Sequence, residues 1–591
     1  MLAGTNTYTG VTSLQGGVLS VSLLADGGAA SNIGAAGSAA ANLELRGGTL
    51  RYTGAGASTD RLFTLWTNTG SALDASGSGT LAFTNIGAVA FALSGARTLT
   101  LTGTGNGSLA PLLGDGTGGA TSLTKSGTGV WTLTNANTYT GVTTLNAGVL
   151  SVASLPDGGV AGPIGAATSA AGNLVLNGGT LRYTGAGAST DRLFTLGVAA
   201  GSRLESAGTG TLVFGNPGAI AFTDSGARTL TLGGSGDGSL AAALGDGTGG
   251  ATSLTKTGAG TWTLAGTNTF TGTVTVSQGT LRLGSAGALG GGAALAFNPA
   301  AGDTAVLQLN GHDATTAGLG SSGAGDAVVE NGAAGTATLT VSVAGTTTFA
   351  GTLRNGSAGT LALTKAGAGT LVLAGANTYT GATTVDGGTL RIDGSLSGAS
   401  AVSVNSGSTL GGGGTVDGAV TVAAGATLAP GASPGALTLT GGLSLDGAYA
   451  WELSAPSDAP AQAGVAYDQI ILTDGGLSLG TGSTLNLLFG AGLAPDGGDP
   501  FWSQARSWTI IDNTGAGSIS GTFASIDQAV WAAGTFGVVY GTGAGGDVTL
   551  EWTPTPVPVP EPAALALLAA GLALMTAVRR RARSERGRPA A

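Results

Sequence analysis

The sequence predicts an all-β protein wound as a parallel β-helix, and three observations carry that prediction. First, the 591 residues include 114 glycines and only 9% charged residues, against roughly 25% charged in ordinary soluble domains. With Thr, Ser and Asn between short apolar runs, this is the composition of many short strands joined by tight turns. Second, apolar residues alternate with threonine, as in Thr98-Leu99-Thr100-Leu101 and Trp131-Thr132-Leu133. That period puts one set of side chains on a buried face and the other in water. Third, a long unit is duplicated without a gap: Tyr8 maps to Tyr139, Arg97 to Arg228 and Trp131 to Trp262, each 131 residues on. Stacked antiparallel hairpins also satisfy the alternation. Gapless insertion of a whole unit suits a solenoid better, because whole coils can be added without disturbing their neighbours. Coils of about 20–25 residues would give about five or six per unit, each rising about 4.8 Å.

The repeat itself runs from Leu123 to Leu150, opening Leu-Thr-Lys and closing Gly-Val-Leu; it returns at 254–281 and 363–390. Its second half also opens the chain, where Leu2–Leu19 align with Leu133–Leu150. The sixteen residues Leu50–Leu65 recur unchanged at 181–196. After Trp262 the next copy arrives 109 residues on, with Leu371 in the tryptophan slot and a spacer of different sequence. Met1 falls in mid-repeat, at the position of Thr132, with no basic and apolar leader after it. A start further upstream, or a fragment, is expected. The solenoid is expected over residues 1–440. Residues 441–553 are richer in aromatics, Trp451 and Trp508 among them, and read as a β-rich region capping the rod's open strand edges. Residues 554–559 read as a stiff proline-rich linker.

Residues 560–591 form a distinct end. Pro560-Glu561-Pro562 precede sixteen uncharged residues, 563–578, and then the arginines 579, 580, 581 and 583. Sixteen helical residues span about 24 Å against a hydrocarbon core of about 30 Å. The stretch reads as one short transmembrane helix, with Arg579, Arg580, Arg581 and Arg583 holding the tail in the cytoplasm. Motif, helix and basic tail in this order resemble the PEP-CTERM sorting signal. The resemblance implies export in a Gram-negative bacterium, processing near Pro560, Glu561 and Pro562 by an exosortase-type membrane peptidase, and an exopolysaccharide or biofilm setting. A precursor anchored in the inner membrane through 563–578 would then reach the cell surface, outer envelope or matrix.

The repeat carries a second resemblance. L-T-K-x-G-x-G-x-W-T-L and N-T-Y-T-G-x-T-T-L-x-x-G-x-L resemble the autotransporter-associated β-strand repeat of passenger domains, which implies a right-handed β-helix over roughly residues 1–440. A complete autotransporter would end in a translocating barrel; the C-terminus here reads as a helix with an arginine tail.

Chemistry is sparse. With no cysteine and a single histidine, neither a disulfide framework nor a thiolate or histidine-rich metal site is expected. His312 sits in an Asn-Gly-His-Asp turn, and the Gly-rich turns around Asp115 and Asp246 lack the nine-residue period of calcium-binding rolls. Asp60-Arg61 and Asp191-Arg192 read as ion pairs or turns rather than the paired carboxylates of glycoside hydrolysis. Trp131 and Trp262 read as buried rather than as sugar-stacking platforms. No catalytic residue, cofactor or metal is assigned. Setting aside the six arginines and one glutamate of 579–591 leaves 15 basic against 30 acidic residues, an acidic body unsuited to phosphate backbones. The sequence thus points to an exported, surface-associated structural or adhesive solenoid, with extracellular polysaccharide as candidate partner and no nucleic acid. The alternatives are a β-helical polysaccharide-active enzyme and an autotransporter-type adhesin passenger.

Overall fold

The computed structural model describes residues 1–66, 70–515, 517–527, 531–556 and 563–584. Alternation decides the strands. In Arg97–Thr102 and Thr121–Lys125 every second side chain is buried, and Leu99, Leu101 and Leu123 are fully covered. Burial of one such leucine contributes about 1.5–3 kcal/mol, whereas the threonines between them stay half-buried on the outer side. One coil comprises three strands, for example Gly335–Ser342, Thr346–Phe349 and Thr352–Asn355. The next coil then lays Gly359–Ala366 parallel on the first strand, with Gly335 opposite Gly359. Seven sheets of 4 to 12 strands result among the described residues. Coil length follows from the pairing. Val402 faces Val420, an 18-residue coil, and Arg97 faces Thr121. Thr143 faces Leu174, and Leu477 faces Ile519, a 42-residue coil. The expected length holds for many coils, is undercut at 18 residues in the tightest and is exceeded where a loop is inserted at a corner.

Corners pack more tightly than side chains allow. Gly54, Gly77, Gly105 and Gly129 stack one above another, and a Cβ on any of the last three would overlap the carbonyl oxygen of the glycine beneath. Only glycine lets neighbouring coils approach that closely.

The duplicated unit is not a whole number of coils. Within one sheet five pairings lead from Val18 to Thr49, Ala72, Thr100, Thr124 and Thr144. The copy of Val18 is Val149, which opens the following strand, Val149–Val152, in a different sheet. The unit therefore advances five coils plus one strand. The corresponding strands Val18–Val21, Val149–Val152, Gly279–Leu283 and Gly388–Ile392 lie in four different sheets.

Toward the C-terminus the coils widen and the parallel order ends. Val548–Pro554 runs antiparallel to both Arg506–Asn513 and Gly534–Tyr540. An aromatic cluster fills this end, with Trp552 5.1 Å from Trp502 and 4.8 Å from Phe536 between ring centroids.

The C-terminal helix is Ala563–Ser584, longer than the expected 563–578 because Arg579, Arg580, Arg581 and Arg583 continue it. Leu567, Leu568, Leu572, Leu574, Met575 and Val578 on it are all exposed. The expected transmembrane helix is not found: no helix among the described residues is long and apolar enough to cross a membrane. The physical reason is the arginines, which end the apolar run after sixteen residues, short of the roughly 20 a span needs. Pro560, Glu561 and Pro562, the linker residues 557–559 and the side chain of Arg583 lie outside the described residues.

Candidate functional site

The repeated motif is the natural candidate, and its geometry is that of a clasp between coils. Lys125 ends the strand Thr121–Lys125 and is wholly buried. Its ammonium donates to the carbonyl oxygens of Ser126 at 2.6 Å, Gly127 at 2.8 Å and, one coil on, Ala147 at 3.1 Å. Lys256 repeats this on Thr257, Gly258 and Gln278, and Lys365 on Ala366, Gly367 and Gly387. No carboxylate pairs with any of them among the described residues. Burial pushes Lys125 and Lys256 down to about 8 and lowers Lys365 as well. Three carbonyls aimed at one ammonium oppose that loss of hydration and use all three of its donors.

The rest of the motif ties coils in the same way. The side-chain oxygen of Asn137 accepts from the Leu113 N–H, 24 residues back, while its amide donates to the Pro163 carbonyl, 26 residues on. Asn268 and Asn377 take the corresponding positions. The hydroxyl of Tyr139 meets Thr143 at 2.7 Å, and that of Tyr379 meets Thr383 at 2.6 Å. Trp131 is buried, donates from Nε1 to the Thr102 carbonyl, and lies over Gly107, where a Cβ would sit 2.6 Å from its ring. Leu371 replaces it in the third long copy and is equally buried.

The aspartates in the Gly-rich turns are brackets. Asp115 accepts from the Thr121 N–H and from Thr140 in the next coil, and Asp246 does the same with Thr252 and Thr271. Partial burial pushes the Asp246 carboxyl up, but these bonds outweigh it and hold it below its usual value. At Asp60-Arg61 and Asp191-Arg192, expected to be ion pairs or turns, no direct ion pair forms among the described residues. Buried Arg61 donates to five carbonyl oxygens, those of Ala25, Asp26, Ala29, Gly34 and Ala36, and Arg192 repeats the set. Each arginine pins the loop that lengthens its coil. Asp60 accepts from the Gly27 N–H.

The motif therefore holds no free nucleophile, acid or base. His312 is half-buried in a turn, and no three His, Cys, Asp or Glu side chains cluster around a metal position among the described residues. Sequence reasoning missed the lysine clasp, although a signal existed: the chain's three lysines all occupy the same slot of the motif.

Residues 1–21, 123–152, 254–283 and 363–392 match the model of the passenger-associated transport repeat family. These are the four segments picked out by the repeat, so the resemblance to autotransporter passenger repeats holds. A stretch of 294 residues, 48% of the chain, is 42% identical to the adhesin BmaC autotransporter of Brucella suis biovar 1 (strain 1330). The match spans 8% of that protein's length.

Proposed function

We propose that this chain is a passenger-type surface adhesin, a β-solenoid displayed on the envelope of a Gram-negative bacterium. The observation that carries the reading is the fourfold passenger-repeat match, joined by 42% identity to an autotransporter adhesin. The geometry supports a physical role, because the motif's polar groups tie coils together and leave the rod's length and outer surface as what it offers. The chain should be displayed on a non-adherent Gram-negative host behind a secretory signal and an outer-membrane barrel. Adhesion to coated surfaces is expected to rise and to vanish after protease shaving. Verified display without adhesion would refute the reading.

Residues 560–591 add an address to this proposal. Pro560, Glu561 and Pro562 form the recognition motif of an exosortase-type membrane peptidase, and Arg579, Arg580, Arg581 and Arg583 supply the basic tail of that signal. The exposed apolar residues of the C-terminal helix support contact with a membrane during processing. The processed rod is then left on the outer envelope or in an exopolysaccharide matrix. Replacing Pro560, Glu561 and Pro562 by alanine is expected to leave an unprocessed, cell-retained protein. An unchanged mass and location would remove this part of the proposal.

A further inference from the structure

Within the unduplicated spacer one wall of the solenoid loses its backbone ladder while its strands stay packed. Strand Leu319–Ser321 is the last of the twelve-stranded sheet, and Thr346–Phe349, one coil on, begins another. In place of a ladder, the Ala350 N–H donates to the Ser321 hydroxyl at 2.8 Å. A groove of about 640 Å³ opens at this corner, inside the range of about 300–1,000 Å³ typical of ligand clefts.

Its lining is polar: Thr304, Ser321, Ser322, Asp326, Thr352 and Arg354, with only glycine, alanine and one valine between them. Asp326 is exposed, and its carboxylate neither accepts a hydrogen bond nor pairs with a cation among the described residues. Arg354 gives Nε and one terminal nitrogen to Glu330, which leaves the other terminal nitrogen for a ligand. A carboxylate accepts only and a guanidinium donates only, while threonine hydroxyls do both. That set matches a ligand whose hydroxyls each donate and accept. An apolar ligand would find no large apolar or aromatic side chain here. With Arg354 neutralised by Glu330, Asp326 leaves the groove net negative, which opposes uronates, sulfates and phosphates.

We infer that this seam groove binds a short stretch of neutral polysaccharide. The inference rests on the adhesin reading and supplies its ligand class. The seam belongs to the unduplicated spacer between Trp262 and Leu371, so one site per chain is expected.

Calorimetry on the purified full chain tests it, with a linear neutral glucan hexamer and a polyuronate hexamer as probes. Expected are binding of the neutral hexamer at one site per chain and at least tenfold weaker binding of the polyuronate. Asp326→Ala and Thr352→Val should each weaken the neutral hexamer at least tenfold, with an unchanged circular-dichroism spectrum showing that the fold persists. No binding of the neutral hexamer, tighter binding of the polyuronate, or affinity untouched by both substitutions would each overturn the inference. Adhesion of displaying cells is scored separately. If adhesion persists without hexamer binding, the adhesin reading survives and this site is lost; hexamer binding without adhesion refutes the adhesin reading alone.

Discussion

The repeats and the C-terminal end each bury charge, and they do so with opposite means. In the repeats a cation, Lys125, Lys256 or Lys365, is enclosed by carbonyl oxygens of two successive coils. At the C-terminal end a carboxyl, Asp468, is enclosed by N–H groups, accepting from Gly435 at 2.8 Å and Glu452 at 3.1 Å. Trp451 donates to the carbonyl oxygen of Asp468 and packs 5.5 Å from Trp508. The repeats thus rely on backbone and one recurring lysine, which any coil can supply. The end relies on large aromatic side chains that fit only each other. A repeating body needs interchangeable ties, whereas a terminus needs to stop the repetition.

The largest test of this contrast is Trp552→Ala, expected to cost about 3–5 kcal/mol by opening a cavity in the aromatic cluster. Hydrogen exchange should quicken over residues 502–554 and remain unchanged in strands 97–133, because a solenoid's stability is local. Equal quickening in both would erase the distinction. Next comes Lys256→Met, which leaves the Thr257, Gly258 and Gln278 carbonyls unpaired and is expected to cost about 2–3 kcal/mol. Amine acetylation of the folded chain at neutral pH, read by mass spectrometry, should spare all three lysines; a modified Lys256 would show that the clasp opens freely.

The two buried charges should also respond to pH in opposite senses. Burial raises Asp468 from 3.8 to about 7, so its contribution is full below pH 3.8 and is lost as pH rises through 7. Burial lowers Lys125 and Lys256 from 10.5 to about 8, so their contribution is full above pH 10.5 and is lost as pH falls through 8. Midpoints of local unfolding should therefore fall with pH at the C-terminal end over the acid window and rise in the repeats over the alkaline one. Asp468→Asn should flatten the first trend alone. The smallest effects are expected outside the contrast. Tyr379→Phe loses the bond to Thr383 for about 1 kcal/mol, and Arg391→Ala loses a part-exposed pair with Asp393 for at most about 1 kcal/mol.

How much of the fold and the motif is legible in the sequence follows from where the information sits. The strand alternation around Trp131 and Leu133 shows because side chains report burial directly. The parallel stacking shows because a gapless duplication constrains coil geometry. The clasp partners of Lys125 do not show, since Ser126, Gly127 and Ala147 act through carbonyls that every residue possesses. Arg61 misleads for the same reason: its sequence neighbour Asp60 suggests a carboxylate partner, while five main-chain oxygens from the loop beneath take the guanidinium. The seam groove is invisible because it arises from a missing ladder between Leu319–Ser321 and Thr346–Phe349, and no single residue marks that break.

The extra strand in each 131-residue unit couples length to orientation. Recombination between nearly identical segments, such as Leu50–Leu65 and 181–196, would add or delete whole units. Every gain would lengthen the rod by five coils and also turn everything beyond it through one of three sides, like a thread cut out of step with its bolt. Two variants differing by one unit would aim the same downstream surface in different directions. Three gains would be needed to restore the original aspect, so this protein's phase around its axis is as heritable as its length.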